Sequence, residues 1–398
     1  MFSLFTSYSS AENFPKNDPV PEGVMYRGIN EEQWKTIEKI GDPLNCRKRL
    51  YDFQQKKNYK VIGPEDCKEN KNCIQSALAK NKHVKLKAGI YNITNPIRIY
   101  KDEVLVGDSN GKTLIDAKLI TSKESIILKS GIISSIQLEN AFDNGIYISN
   151  KSYGSLVYRI KVGNSGTRNE LSRAGKGINI WGNQNQDHCI ISAELYNGYN
   201  NTSSNKNKKI REKGGNADGI DIKDGPSNIT IIDVHSHHNS DDGFDFFSAG
   251  NKKIWDELGK TKKEPIIRVF YSSALFNGKH PYKKNGDGEG FKLGGSSNRQ
   301  VVIKKNYGAR LLYGSAACFN KTLGISRNNS TAKIISIGNN SKNNRKKNFN
   351  EVRNKKVKDD KNLLKCSMFK KWKIIIWWVF WVFGRGVLLP GAPDLELN

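Results

Sequence analysis

Three copies of one short phrase decide the fold: Asp218-Gly-Ile-Asp-Ile222, Asp242-Gly-Phe-Asp-Phe246 and Glu289-Gly-Phe-Lys-Leu293. In each, a polar residue and a glycine lead an apolar–polar–apolar triplet, the period-two pattern of a strand with one buried face. The phrase recurs upstream as Asn144-Gly-Ile-Tyr-Ile148 and Lys176-Gly-Ile-Asn-Ile180, and downstream in a shortened form, Leu323-Gly-Ile-Ser326. The glycines stand at 145, 177, 219, 243, 290 and 324, so successive spacings are 32, 42, 24, 47 and 34 residues. A repeat of this kind cannot bury its apolar face alone and must stack on its neighbours. The shortest spacing suits one bare coil of a large solenoid, and the longer ones imply loops inserted at the turns. Stacked in register, Ile146/Ile148, Ile178/Ile180, Ile220/Ile222, Phe244/Phe246 and Phe291/Leu293 form an interior ladder. The expected fold is therefore all-β, a right-handed parallel β-helix built as a single-stranded solenoid.

Composition agrees. Only 36% of the 398 residues are apolar, yet there are 36 glycines, which suits short strands and polar turns rather than a helix bundle or a doubly wound sheet. Further strand signals precede the phrase, at Val84 and Leu86, Ile90, Val104 and Val106, and Leu114 and Ile115. A short helix over 71–80, with Ile74, Ala77 and Leu78 on one stripe, is placed to cap the first coil and hide its edge. The expected organisation is an irregular leader over 1–70 with one short helix along Trp34, Ile37 and Ile40, a β-helix domain over 71–338, and a tail over 339–398. The tail is expected to be basic and disordered over 341–362. Its apolar run, Ile374 to Phe383, is about half the roughly 20 residues a membrane span needs, so no span is expected.

Lys+Arg is 65 and Asp+Glu 39, a formal net charge of +26, which favours a polyanionic partner. Residues 342–373 carry 13 Lys/Arg against three acids and so supply +10 of it. The rest is spread along the chain, without zinc-finger spacing or an arginine-rich aromatic platform, which weakens the case for nucleic acid; an acidic polysaccharide accounts for the charge equally well, and no nucleic-acid partner is expected. Six scattered cysteines suggest neither a disulfide scaffold nor a metal knuckle, although Cys67 and Cys73 are close enough to pair. Sequons such as Asn92-Ile-Thr and Asn228-Ile-Thr favour export weakly, and Met1-Phe-Ser-Leu-Phe lacks the basic and apolar regions of a signal peptide.

Stacking also aligns the outward residues. Tyr147, Asn179, Asp221, Asp245, Lys292 and Ser326 fall in one column, and Asn144, Lys176, Asp218, Asp242 and Glu289 in its neighbour. Asp218, Asp221, Asp241, Asp242 and Asp245 then crowd within about two ~4.8 Å strand spacings. Carboxylates so close repel unless protonated or neutralised by a cation. Oxygen donors without His or Cys point to a hard ion, Ca²⁺ before Mg²⁺. One or two of these aspartates are accounted for equally well as turn-closing residues. Lys292 comes next in the column, where a nearby metal would disfavour its charged form and free the amine to act as a general base.

Asn216-Ala-Asp-Gly-Ile220, Asn239-Ser-Asp-Asp-Gly-Phe-Asp-Phe246 and Gly288-Glu-Gly-Phe-Lys-Leu-Gly-Gly295 together resemble the core motifs of the family 9 polysaccharide lyases, the parallel β-helix pectate lyases. The resemblance implies Ca²⁺ held by Asp218, Asp241, Asp242 and Asp245, and Lys292 as base. Asp221 lies where the motif requires no acid and stands as an additional ligand candidate. The resemblance also implies a secreted, extracellular monomer that cleaves polygalacturonate in pectin by β-elimination. A second likeness, to polygalacturonase-type hydrolases, rests on Asn216-Ala-Asp-Gly-Ile-Asp221 and the Asp241-Asp242 pair. Its Gly-His-Gly motif is missing, and Arg159-Ile-Lys161 lies upstream of the aspartates, the wrong order. A decayed, non-catalytic carbohydrate-binding β-helix is the alternative of a different class.

Overall fold

The computed structural model describes residues 28–366 apart from 43, 71, 122–123, 167–174, 183, 200–215, 226, 248, 251–264, 279–285, 296–307, 329, 331 and 358–360. The apolar run at 374–383 and the first five residues lie outside the described residues. Two sheets run the length of the molecule, one of nine strands and one of sixteen, and their strands pair in parallel. In the nine-stranded front sheet the order follows the chain, from Ile97–Ile99 to Lys347–Asn350. This is a parallel β-helix.

The columns read from the phrase are the columns of the front sheet. Ile146, Ile178, Ile220, Phe244, Phe291 and Ile325 are register partners pointing inward, all fully buried. Tyr147, Asn179, Asp221, Asp245, Lys292 and Ser326 are register partners pointing outward. The glycine has its own cause. A Cβ on Gly219 would lie 2.7 Å from the carbonyl oxygen of Gly243, and one on Gly290 would lie 2.5 Å from that of Gly324. Successive coils approach too closely at this column for any side chain.

The back sheet turns a corner within its long strands. Ser135, Arg159, Ser192 and Asp233 occupy matching positions and all have left-handed backbone, with φ between 51° and 56°. A second left-handed column, Asn140, Asn164, Asn197 and His238, closes the same strands. Beyond it a ladder of buried amides climbs the solenoid. The Asn239 Nδ2 donates to Asn277 Oδ1 at 3.0 Å, Asn277 to Asn320 at 3.1 Å, and Asn320 to Asn344 at 2.9 Å. The chain's many asparagines thus satisfy one another where apolar side chains cannot reach the turn carbonyls. Phe244 stacks on Phe291 with ring centres 4.5 Å apart.

Three expectations are corrected at the ends. The leader is not irregular over its described part: helices Glu31–Ile40 and Cys46–Gln54 pack Trp34, Ile37, Leu50 and Phe53 onto the outer wall of the back sheet, and Lys60–Ile62 pairs with His83–Leu86. The helix Cys73–Asn81 does cover the first coil. The solenoid also runs past residue 338, through Asn340–Lys342, Lys347–Asn350 and Asn354–Lys355. These last rungs pair through backbone and asparagine amides, so they need few apolar residues. All six cysteines are paired, as Cys46–Cys189, Cys67–Cys73 and Cys318–Cys366. Two of those bridges join residues distant in sequence that stacking brings together.

Candidate active site

Three successive rungs of the front sheet carry the site. Asp218 precedes the glycine that enters Ile220–Lys223, Asp241 and Asp242 precede the one that enters Phe244–Asp245, and Glu289 precedes the one that enters Phe291–Lys292. Asp245 and Lys292 are register partners on adjacent strands.

Asp218 and Asp242 each divide their oxygens between two tasks. Asp218 Oδ1 accepts the backbone N–H of Asp242 at 3.0 Å, and Asp242 Oδ1 accepts that of Glu289 at 2.7 Å. Those bonds tie one rung to the next. The second oxygens face the site. Asp242 Oδ2 accepts from the Lys292 ammonium at 3.0 Å, and Asp218 Oδ2, buried and without a hydrogen-bond donor among the described residues, faces the Lys176 ammonium at 3.6 Å.

Of the four sequence-predicted ligands, Asp218, Asp242 and Asp245 bring carboxylate oxygens within 4.8 Å of one another. Asp241 belongs to an adjoining trio with Asp242 and Asp287, held to the same limit. Asp221 is engaged otherwise: the ammonium of Lys176 contacts it, and Lys223 Nζ lies 3.2 Å away. The same lysines reach the trio at longer range, Lys176 Nζ lying 3.6 Å from Asp218 Oδ2 and Lys223 Nζ 3.5 Å from Asp245 Oδ2.

The electrostatics set burial and crowded carboxylates against the lysines around them. Burial, with the neighbouring Asp245 adding to it, raises the Asp218 carboxyl above its ordinary value against the opposing Lys176. Asp241 and Asp242 are raised well above theirs by burial and by the carboxylates around them. A cation shared among carboxylates so crowded favours their ionised forms. An all-oxygen donor set of this kind suits a hard ion.

Lys292 differs from expectation. Burial alone would lower the ammonium, but Asp242, Asp245, Asp287 and Asp241 outweigh it and hold the amine well above its usual range. The expected lowering presupposed a cation among these carboxylates; their own charge acts in the opposite sense. Asp287, 3.8 Å from Lys292, was not foreseen, because it stands in Gly286-Asp-Gly288 outside the repeated phrase. Lys223 was also missed, although strand alternation places it on the same face as Asp221. Arg159, by contrast, lies buried at the corner of the back sheet, on a different wall from the aspartates.

Residues 66–362 match the family model described as the Pel9A-like right-handed β-helix region. No curated protein matches the chain. Among solved structures, that of pectate lyase Pel9A is 18% identical, covering 74% of this chain and 71% of its own, with a TM-score of 0.53. The surface adhesin PfbA of Streptococcus pneumoniae is 12% identical over 73% of this chain and 82% of its own, with a TM-score of 0.39. The A-module of the Azotobacter vinelandii mannuronan C-5 epimerase AlgE6 is 12% identical over 75% and 95%, with a TM-score of 0.31. With most of its length matched by that one model, the chain belongs to the Pel9A-like right-handed β-helix family.

Proposed function

We propose that the protein is a secreted, calcium-dependent pectate lyase that cleaves polygalacturonate by β-elimination. The observation that carries this reading is the placement of Lys292, whose Nζ stands 3.0 Å from Asp242 on the rung next to the Asp218–Asp242–Asp245 trio. A basic side chain and a cation-seeking acid cluster on one solvent-facing wall are the two components that proton abstraction beside a carboxylate requires. The net charge of +26 suits a polyuronate, and three disulfides suit an oxidising, extracellular setting.

Calcium held by Asp218, Asp242 and Asp245, with Asp241 beside them, would supply positive charge to the C6 carboxylate as negative charge develops next to it. Lys292, as the neutral amine, takes the proton from C5. The C5–H electron pair becomes the C4=C5 double bond, and the C4–O bond breaks with its electrons on the departing oxygen, which gains a proton. One product ends in a 4,5-unsaturated uronide, and no water is consumed. Asp242 positions the Lys292 nitrogen, and the flanking inward residues Phe291 and Leu293 fix its strand. The hydrolytic alternative rests on Asn216-Ala-Asp-Gly-Ile-Asp221 and the Asp241-Asp242 pair, and the Arg159-Ile-Lys161 stretch that would have to join them sits on another wall.

The test is a pair of substitutions. Lys292→Ala should lose at least ~10²-fold in turnover while oligouronate binding persists, the low end for a general base. Lys292→Arg should be nearly as damaging, because guanidinium stays protonated. An arginine variant with most of the wild-type rate would make Lys292 a charge clamp and remove the base from this reading.

A further inference from the structure

Beside the acid column, the same wall carries a second outward column. Strand alternation sets Trp181 two residues beyond Asn179 and Lys223 two residues beyond Asp221, and the two are register partners. Phe247 follows two residues beyond Asp245, with the Lys292 ammonium 5.8 Å from its ring centre. Trp181 is 50% exposed, unusual for an indole on an ordered strand, and its Nε1–H donates to Asp224, which fixes the ring. Next to it in the acid column, Asn179 is 8% exposed, and its side-chain Oδ1 has no hydrogen-bond donor among the described residues. A buried acceptor left unpaired costs free energy unless something fills it.

An exposed flat ring, an unsatisfied acceptor and a neighbouring ammonium form a set with a definite complement. A sugar ring offers an apolar C–H face to the indole, a hydroxyl to Asn179 Oδ1, and, if it is a uronate, a carboxylate to the Lys223 ammonium, which Asp221 at 3.2 Å and Asp245 at 3.5 Å share. We infer that Asn179 and Trp181, one rung toward the N-terminus from Asp218, form with Lys223 a subsite for a further uronate residue of the same polysaccharide. This rests on the lyase reading for the identity of the polymer, while the subsite itself rests on the side chains. It sets the polysaccharide across the strands, parallel to the solenoid axis, because the subsite and the trio together span successive rungs about 4.8 Å apart.

The test uses the full-length Lys292→Ala protein with Ca²⁺, so that binding is read without turnover. Calorimetry with oligogalacturonates from dimer to pentamer should show affinity rising with length. Adding Trp181→Ala should weaken binding of the longer oligomers about 10-fold and leave the dimer little changed. Trp181→Phe should restore most of the loss, and neutral galacto-oligosaccharides should bind far less well than the uronates. If Trp181→Ala binds every length as its parent does, or the parent binds no oligouronate, the subsite is wrong. The lyase reading is scored separately, on unsaturated product from the wild-type protein. Absent product with weakened Trp181→Ala binding leaves the subsite standing and the lyase reading fallen. Product formed with unchanged Trp181→Ala binding and KM has the opposite meaning.

Discussion

Asp242 accepts the Glu289 N–H with one carboxylate oxygen and faces the Lys292 ammonium with the other, so two substitutions separate its roles. Asp242→Asn keeps an acceptor for the rung and should hold stability within ~1 kcal/mol, yet raise the calcium concentration needed for half-maximal activity. Asp242→Ala should lose both, and urea titration beside calcium titration of activity reads the two effects. Far from the site, His188 is fully buried, and its Nδ1 accepts the Ser155 N–H at 3.2 Å, so the ring is neutral. Burial, aided by the charge of Arg49, pushes it down to about 3 from an ordinary 6.5. Between those values the unfolded chain binds the proton and the folded one does not. Its contribution is therefore full above pH 6.5 and lost as pH falls toward 3. Denaturant midpoints should drop through that window, and His188→Asn, which retains an acceptor, should flatten the slope.

At the scale of the strand, the glycine column sets how closely coils stack. Gly290→Ala would place a methyl 2.5 Å from the Gly324 carbonyl, so this change should cost about 1–3 kcal/mol in chemical denaturation, the range for overpacking. The same elements show which parts of the fold could be read beforehand. The front sheet was legible because Ile220, Phe244 and Phe291 alternate with Asp221, Asp245 and Lys292, and alternation fixes register. The back-sheet corner was not, because Ser135, Arg159, Ser192 and Asp233 share left-handed backbone but no chemistry. The final rungs were hidden for another reason: Asn339, Asn344 and Asn354 satisfy them with amides, which read in a sequence as disorder. Of the site, the acids and Lys292 were visible through their columns. Asp287 was not, since it sits outside the repeat and reaches Lys292 only through the fold.

Across the whole molecule, the apolar ladder from Ile62 to Ile325 lies inside the solenoid, and the acid trio lies on its outer wall. Most of the fold's stability therefore rests on groups other than the carboxylates proposed to hold the metal. Removing calcium should leave the β-sheet circular dichroism largely intact, because Ile146, Ile178, Ile220 and Phe244 stay packed whatever the carboxylates hold. The +26 net charge should attract the polyanion with or without the ion, so capture and cleavage should also separate. The most direct measurement is the ultraviolet absorbance of the 4,5-unsaturated uronide formed from polygalacturonate by the wild-type protein, with calcium and then with excess chelator. Absorbance that rises with calcium, stops on chelation and returns when calcium is restored is the predicted result. Cleavage yielding only new reducing ends without that absorbance, or absorbance indifferent to the chelator, would contradict the account.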